Sequence, residues 1–179
     1  MEHRTAKVNI SSAGGTAAKS SKTCKITLPT KWIEAMGLDT EHRELELPFD
    51  GETVTLSRHL SGPEFVERKL AQNHEIRVLR LYDGDDLCST IYADFTERAV
   101  IVENQAVSPI KTAFGNNSLP DWKDFQRFLE ERCIPRQRSG LREYLETLGL
   151  DEYDPFAIIE KTGGRMAEDG QWLTIEVLK

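Results

Sequence analysis

The sequence predicts an α+β protein in two parts. An N-terminal run of short alternating strands surrounds one small helix, and an acidic half follows in which a strand meander precedes three helices and a last strand. Three observations carry this. Period-two alternation of apolar and polar residues recurs from Thr5 to Leu56, which is the pattern of half-buried strands. Helical i, i+3, i+4, i+7 spacing appears only after Pro120. Charge is also split: residues 1–60 hold eight Lys/Arg against eight Asp/Glu, and residues 61–179 hold 15 against 22 and so carry the whole net −7.

A chain of 179 residues accommodates one ordinary domain or two small ones. With 39% hydrophobic and 30% charged residues it has the composition of a water-soluble protein. No apolar run approaches the ~20 residues of a membrane span, and MEHRTAKVNI lacks the apolar core of a secretory signal. The three cysteines (Cys24, Cys88, Cys133) are odd in number, widely spaced and outside any metal-ligand spacing. Reduced, partly buried thiols in a cytoplasmic protein are expected.

In the first part, Ala6, Val8 and Ile10 alternate with Lys7 and Asn9, and Cys24, Ile26 and Leu28 alternate with Thr23, Lys25 and Thr27. Two strands are expected, with Cys24, Ile26 and Leu28 facing inward. The Gly/Ala/Ser segment Ser11–Ser21 between them is too small and polar to pack. Pro29 ends the second strand. Thr30 is the expected N-cap of a two-turn helix with Trp32, Ile33 and Met36 on its apolar side, and Gly37 suits the left-handed position after it. Leu45, Leu47 and Phe49 alternate with acids, Val54 and Leu56 with threonines, and Asp50-Gly51 joins the runs. That is the signature of a hairpin with a type I′ turn. Within the first 31 residues the basic residues Arg4, Lys7, Lys19, Lys22, Lys25 and Lys31 meet Glu2 alone. A basic start on an acidic chain points to a local polyanion contact.

So small a segment buries little, and its apolar faces call for a second chain. The residues Lys25-Ile26-Thr27-Leu28-Pro29, Trp32, Met36-Gly37-Leu38, Leu45–Phe49 and Val54–Leu56 resemble the AbrB/MazE/SpoVT family over about a third of the chain. The resemblance implies a dimeric swapped-hairpin β-barrel over residues 1–60 that binds double-stranded DNA. It places Arg4 and Lys7 on a basic first strand, Lys25 on the DNA-facing strand and Lys31 at the helix start. Many family members carry a basic pair inside that helix, where this chain has Ile33 and Glu34. The loop before the second strand is also longer than is usual in the family. The expected contact is therefore shifted toward Lys19, Lys22 and Lys25, with Thr23, Thr27 and Ser20/Ser21 adding hydrogen bonds to phosphate. The alternative for these lysines is a solvated strand face.

Residues 61–74 read as a linker helix capped by Ser61 or Gly62, with Pro63 in its first turn. A meander follows: Ile76–Tyr82, a turn at Asp83-Gly84-Asp85-Asp86, Leu87–Phe95 and Ala99–Val102. The Asp-Gly-Asp-Asp turn lacks the twelve-residue calcium pattern with its final Glu and reads as a hairpin turn. Helices are expected after Asp121 (Trp122, Phe125, Phe128, Leu129 on one face), from Leu141 to Gly149, and from Asp154-Pro155 to Gly163-Gly164. Trp172–Leu178 is a last strand. Arg132, Arg136, Arg138 and Arg142 around Cys133-Ile134-Pro135 read as a helix-connecting loop salt-bridged to Glu130, Glu131 and Glu143. Residues 161–170 combine Gly with charge but lack the phosphate-loop order. His3, His42, His59 and His74 show no metal spacing, and no catalytic set assembles. Asp124–Cys133, Tyr153-Asp154-Pro155, Gly164-Arg165-Met166 and Trp172 resemble a small uncharacterised domain of Firmicutes mobile elements, which supplies no residue roles.

The expectation is a cytoplasmic homodimer without cofactor, metal or enzymatic activity. It binds DNA through residues 1–60 and a protein partner, such as a toxin or nuclease, through residues 75–179. It would serve as a transcriptional regulator or an antitoxin. The alternative is a phage or mobile-element inhibitor of the anti-CRISPR kind, whose acidic half covers a nuclease's basic channel. An enzyme reading would require acids converging on Glu168 and Asp169.

Overall fold

The computed structural model describes residues 2–12 and 21–179. The chain divides into two units, Met1–His59 and Leu60–Lys179, and the fold is mixed α+β. Among the described residues no helix is long and apolar enough to cross a membrane.

The first unit holds two small antiparallel ribbons and one helix. Strand β1 (Asn9–Ser12) pairs with β2 (Lys22–Lys25), with Asn9 opposite Lys25, Ile10 opposite Cys24, Ser11 opposite Thr23 and Ser12 opposite Lys22. Both strands begin at different residues from those the alternation suggests, because Ser11 and Ser12 pair through their backbones although they show no apolar pattern. Helix α1 (Thr30–Ala35) is preceded by Pro29 at the cap position, not by Thr30, and no side chain caps it. Pro29 O takes over, accepting from Trp32 N–H at 2.9 Å and from Ile33 N–H at 3.3 Å. At the other end Gly37 has φ 70°, and Leu38 N–H closes back onto Ile33 O at 3.0 Å, a left-handed helix stop.

The hairpin of β3 (Leu45–Glu46) and β4 (Ser57–Arg58) keeps one register throughout. It runs from His59 N–H on Glu44 O (3.1 Å), through Leu45 opposite Arg58 and Thr55 N–H on Pro48 O (3.1 Å), to the Phe49–Val54 bridge. The turn differs from the expected type I′. Its centre is Gly51–Glu52, and of these only Gly51 has positive φ, at 105°. The Asp50 carboxylate holds the turn by accepting from Glu52 N–H at 2.9 Å and Thr53 N–H at 2.7 Å. An aspartate can therefore sit just before the turn and brace it, where the type I′ pattern would have placed it at the centre.

The second unit is built on a four-stranded antiparallel sheet in the order β7-β6-β5-β8, from β5 (Ile76–Asp83), β6 (Asp86–Asp94), β7 (Ala99–Asn104) and β8 (Gln171–Leu178). The expected three-strand meander gains the C-terminal strand, which lies along β5 with Ile76 opposite Leu178 and Asp83 opposite Gln171. Helices α3 (Trp122–Glu131), α4 (Leu141–Leu148) and α5 (Pro155–Thr162) contribute to the core on one face, where Leu79, Leu81, Ile91, Ala93 and Leu173 meet Phe125, Phe128, Leu129, Leu145, Phe156, Ile158 and Ile159. Each buried Leu, Ile or Phe among them contributes about 1.5–3 kcal/mol relative to exposure. Phe95 lies edge-on to Trp122 (5.1 Å) and Phe156 (5.5 Å), and the Arg77 guanidinium caps Phe95 and Phe156 at 4.2 and 4.0 Å.

The caps follow the sequence rules. Asp121 accepts from Asp124 N–H at 2.9 Å while Asp124 accepts from Asp121 N–H at 3.2 Å, a reciprocal box. Asp154 accepts from Phe156 N–H at 2.9 Å, and Gly149 and Gly163 close their helices in the left-handed region. On the opposite sheet face lies α2 (Gly62–Leu70), begun by Ser61. It is a packed helix of this unit, not a free linker. Phe65 is buried, Gly62 lies flat on the Tyr92 ring, and Gly62 N–H and the Tyr92 hydroxyl both donate to Glu103, at 2.6 and 3.1 Å.

Candidate functional site

The residues expected to contact nucleic acid lie in the first unit. In the β1–β2 ribbon, alternation places Asn9, Ser11, Thr23 and Lys25 on one face and Ile10, Ser12, Lys22 and Cys24 on the other. Lys25 thus crowns a wholly polar face. Lys22 sits at the loop end of the opposite, apolar face, so the two lysines diverge. Arg4, Lys7, Lys22 and Lys25 are exposed, and none has a carboxylate partner among the described residues. Lys31 does, because it pairs with Glu2, which also accepts from the Trp32 indole. This interaction holds the Glu2 carboxyl below the ordinary carboxylate range, the Lys31 hydrogen bond acting first and that of Trp32 second. The helix start is therefore less cationic than its sequence suggests. Lys19 and Ser20 lie outside the described residues.

The apolar side of this unit is uncovered. Leu38 is its one buried hydrophobic residue among those described, while Val8, Ile10, Ile26, Leu47, Phe49, Val54 and Leu56 are 41% to 65% exposed. Cys24, expected inward, is exposed as well. Large apolar residues left this exposed do not form a finished monomer core.

In the second unit, the arginine cluster and the Gly163–Gly170 loop, far apart in sequence, come together. Arg132 is buried, and its guanidinium is held by five hydrogen bonds. Nε donates to Gly164 O (3.0 Å), one terminal nitrogen to Asp169 Oδ2 (2.6 Å) and Gln171 Oε1 (3.4 Å), and the other to Asp169 Oδ1 (3.2 Å) and Gln171 O (2.9 Å). Its partner is Asp169, not the neighbouring glutamates expected from sequence. The Arg132 hydrogen bond outweighs partial burial and holds the Asp169 carboxyl below its ordinary range, with Gln171 N–H assisting. Asp169 is thus engaged as a structural anion and is not poised as a catalytic acid. Arg136 pairs with Glu130 at 3.3 Å and covers the Tyr153 ring at 4.2 Å, and Arg142 pairs with Glu146 at 3.1 Å. Arg138 has no carboxylate partner among the described residues. Cys133 is buried beside Pro155 O (3.5 Å), and burial, then the charges of Asp154 and Glu130, push its thiol up to about 12. It stays protonated and un-nucleophilic.

His74, Asp94 and Glu97 form the one group of metal-type ligands found among the described residues, with donor atoms within 4.8 Å of one another. No sequence spacing announces it, since His74 is carried by the α2–β5 turn and Asp94 by the end of β6. Asp94 is fully buried, yet all its acceptor positions are in use. Oδ1 accepts from Thr96 N–H (2.9 Å) and Glu97 N–H (3.1 Å), and Oδ2 from His74 Nδ1 (2.7 Å) with Lys69 Nζ at 3.5 Å. Lys69 also pairs with Glu97, so an ammonium already serves both carboxylates. Burial pushes the Asp94 carboxyl up, but His74 and the Glu97 and Thr96 N–H groups together hold it below the ordinary value. The cluster ties α2 to the β6–β7 turn.

No family model matches the sequence, and neither the curated proteins nor the solved structures hold a significant match.

Proposed function

We propose that the chain is a homodimeric DNA-binding protein of the AbrB-like swapped-hairpin kind, whose acidic second unit holds a protein partner in the manner of a regulator or antitoxin. The observation that carries the reading is the two-sided β1–β2 ribbon. One face is wholly polar and ends in Lys25, which has no carboxylate partner among the described residues, and the other presents Ile10 and Cys24 exposed. A second copy laid on the apolar side would leave two polar, cationic faces outward at a fixed separation, an arrangement suited to a duplex backbone. Backbone contact rather than base reading is the expected mode, because Lys, Thr and Ser hydrogen-bond phosphate without reading sequence. The 22 acidic against 15 basic residues beyond residue 60 suit a basic partner.

The test is a salt titration of duplex DNA binding with the full chain and with the K7E/K22E/K25E variant. Each lost phosphate contact lowers the slope of log K against log salt by about 0.9, and the dimer carries each replaced lysine twice, so a fall of up to about 5 is expected. K31E, whose lysine is already paired to Glu2, should change the slope less. An unchanged slope and affinity in the triple variant would refute the DNA reading.

A further inference from the structure

We propose that the groove between the Arg132–Arg138 loop and the Thr162–Glu168 loop of the second unit is a binding site for a small phosphate monoester. The groove encloses about 650 Å³, inside the roughly 300–1,000 Å³ typical of small-ligand sites. Its two walls come from segments that the sequence presents as unrelated, and the buried Arg132 guanidinium fastens them together through Gly164 O, Asp169 and Gln171. The frame is therefore fixed before any ligand arrives, which lowers the ordering cost of binding.

Two further guanidinium groups line this frame, Arg138 from one wall and Arg165 from the other. Neither has a carboxylate partner among the described residues. Arg165 lies over the Trp172 ring, 5.0 Å from its centroid, a stacking that steadies the plane of the guanidinium and leaves its N–H edges unused. A stacked, fork-shaped donor loses little freedom when it takes two oxygens of one anion. Arg138 and Arg165 line one cavity with no ion-pair partner among the described residues, and a phosphate monoester, which near neutral pH carries close to two charges, offers each of them a charged oxygen. Ile134, Tyr144 and Met166 supply an apolar lining for the organic body, and Glu168 in the same lining supplies an acceptor for a ligand hydroxyl while disfavouring a longer polyphosphate. The thiol of Cys133 in the same lining remains protonated, so the site binds its ligand without attacking it. The result is a ligand-binding site in the half of the chain that carries the negative charge.

Isothermal titration of the full chain with AMP, ribose 5-phosphate, inorganic phosphate and adenosine tests this. The phosphates should bind and adenosine should not. R138Q and R165Q should each weaken AMP by roughly 10- to 100-fold, the range for a hydrogen bond to a charged group. The K7E/K22E/K25E variant should bind AMP as the natural chain does. If inorganic phosphate binds as tightly as AMP, the phosphate chemistry stands and the free ion is the ligand. Binding of none of the three phosphates would overturn the proposal, as would equal binding of adenosine, unchanged affinity in the R138Q/R165Q double variant, or loss confined to the lysine variant. Both arginines are exposed, so the circular dichroism of the variants should match that of the natural chain.

Discussion

Replacing Arg132 by Met tests the architecture of the second unit most directly. The substitution keeps much of the buried stem and removes the guanidinium. The Asp169 carboxylate then keeps only Gln171 N–H, and the carbonyls of Gly164 and Gln171 lose the guanidinium. Breaking a buried pair by removing one partner costs about 3–5 kcal/mol. Arg132 is only 8% exposed, but Asp169 is 37% exposed, and water can reach the stranded carboxylate. The lower end, about 3 kcal/mol, is therefore expected. In urea, at a slope of roughly 2 kcal/mol per molar, that moves the midpoint down by about 1.5 M. Tryptophan fluorescence reports it, since Trp122 and Trp172 both belong to this unit. The deficit should also depend on pH. The folded Asp169 carboxyl lies below its ordinary value, chiefly through Arg132. Its contribution is thus fully present above the unfolded carboxylate range near ~4 and is lost as pH falls through the lower folded value. The gap between variant and natural chain should narrow in acid. An unchanged midpoint for R132M at neutral pH would refute the assignment of Arg132 as the clamp, and a gap that does not narrow in acid would refute the Asp169 part of it.

Two other outcomes follow from local geometry. In G62A the new Cβ would lie 1.9 Å from a Tyr92 ring carbon, so helix or ring must move and Tyr92 loses Glu103. A loss of about 2 kcal/mol in urea unfolding is expected, within the range for overpacked sites. Among the thiols, Cys24 is exposed while Cys88 and Cys133 are buried. A thiol reagent should modify one cysteine rapidly in dilute protein and the other two only on unfolding. Protection of Cys24 should grow with protein concentration as its ribbon face is covered.

What was legible in the sequence is what short-range rules decide. Asp154 as a cap, Gly37, Gly149 and Gly163 as helix stops, and the acidic hairpin around Asp50-Gly51 all depend on partners within a few residues. The α+β order follows from the same local signals. What stayed hidden depends on distant partners. Nothing near Arg132 names Asp169, 37 residues on, and the adjacent glutamates were the more obvious partners. His74 meets Asp94 only because α2 and the β6–β7 turn converge. The placement of β8 beside β5 has no local signature either. In the ribbon, Lys22 and Lys25 face opposite sides because they stand three residues apart on one strand, which starts at Lys22, one residue before the alternation suggests. Neighbouring lysines in one line of sequence therefore looked like one patch.

The two units also differ in what they bury, and this yields the sharpest test of the dimer. The second has a contiguous core of fully buried residues such as Phe125, Leu79, Ile91 and Ile158, whereas the first, among its described residues, leaves seven large apolar ones at least 41% exposed. Cut between His59 and Leu60, the pieces should therefore behave oppositely. Residues 60–179 should unfold cooperatively at a midpoint independent of concentration, since their core closes within one chain. Residues 1–59 should be folded only when associated. Mass action then makes their apparent stability fall by about 1.4 kcal/mol for each tenfold dilution, and light scattering should give twice the chain mass wherever circular dichroism reports structure. Structure that persists in a 1–59 monomer on dilution would mean that the exposed Ile10, Phe49 and Val54 need no second copy. The swapped-hairpin reading would fall with it, whatever the lysines bind.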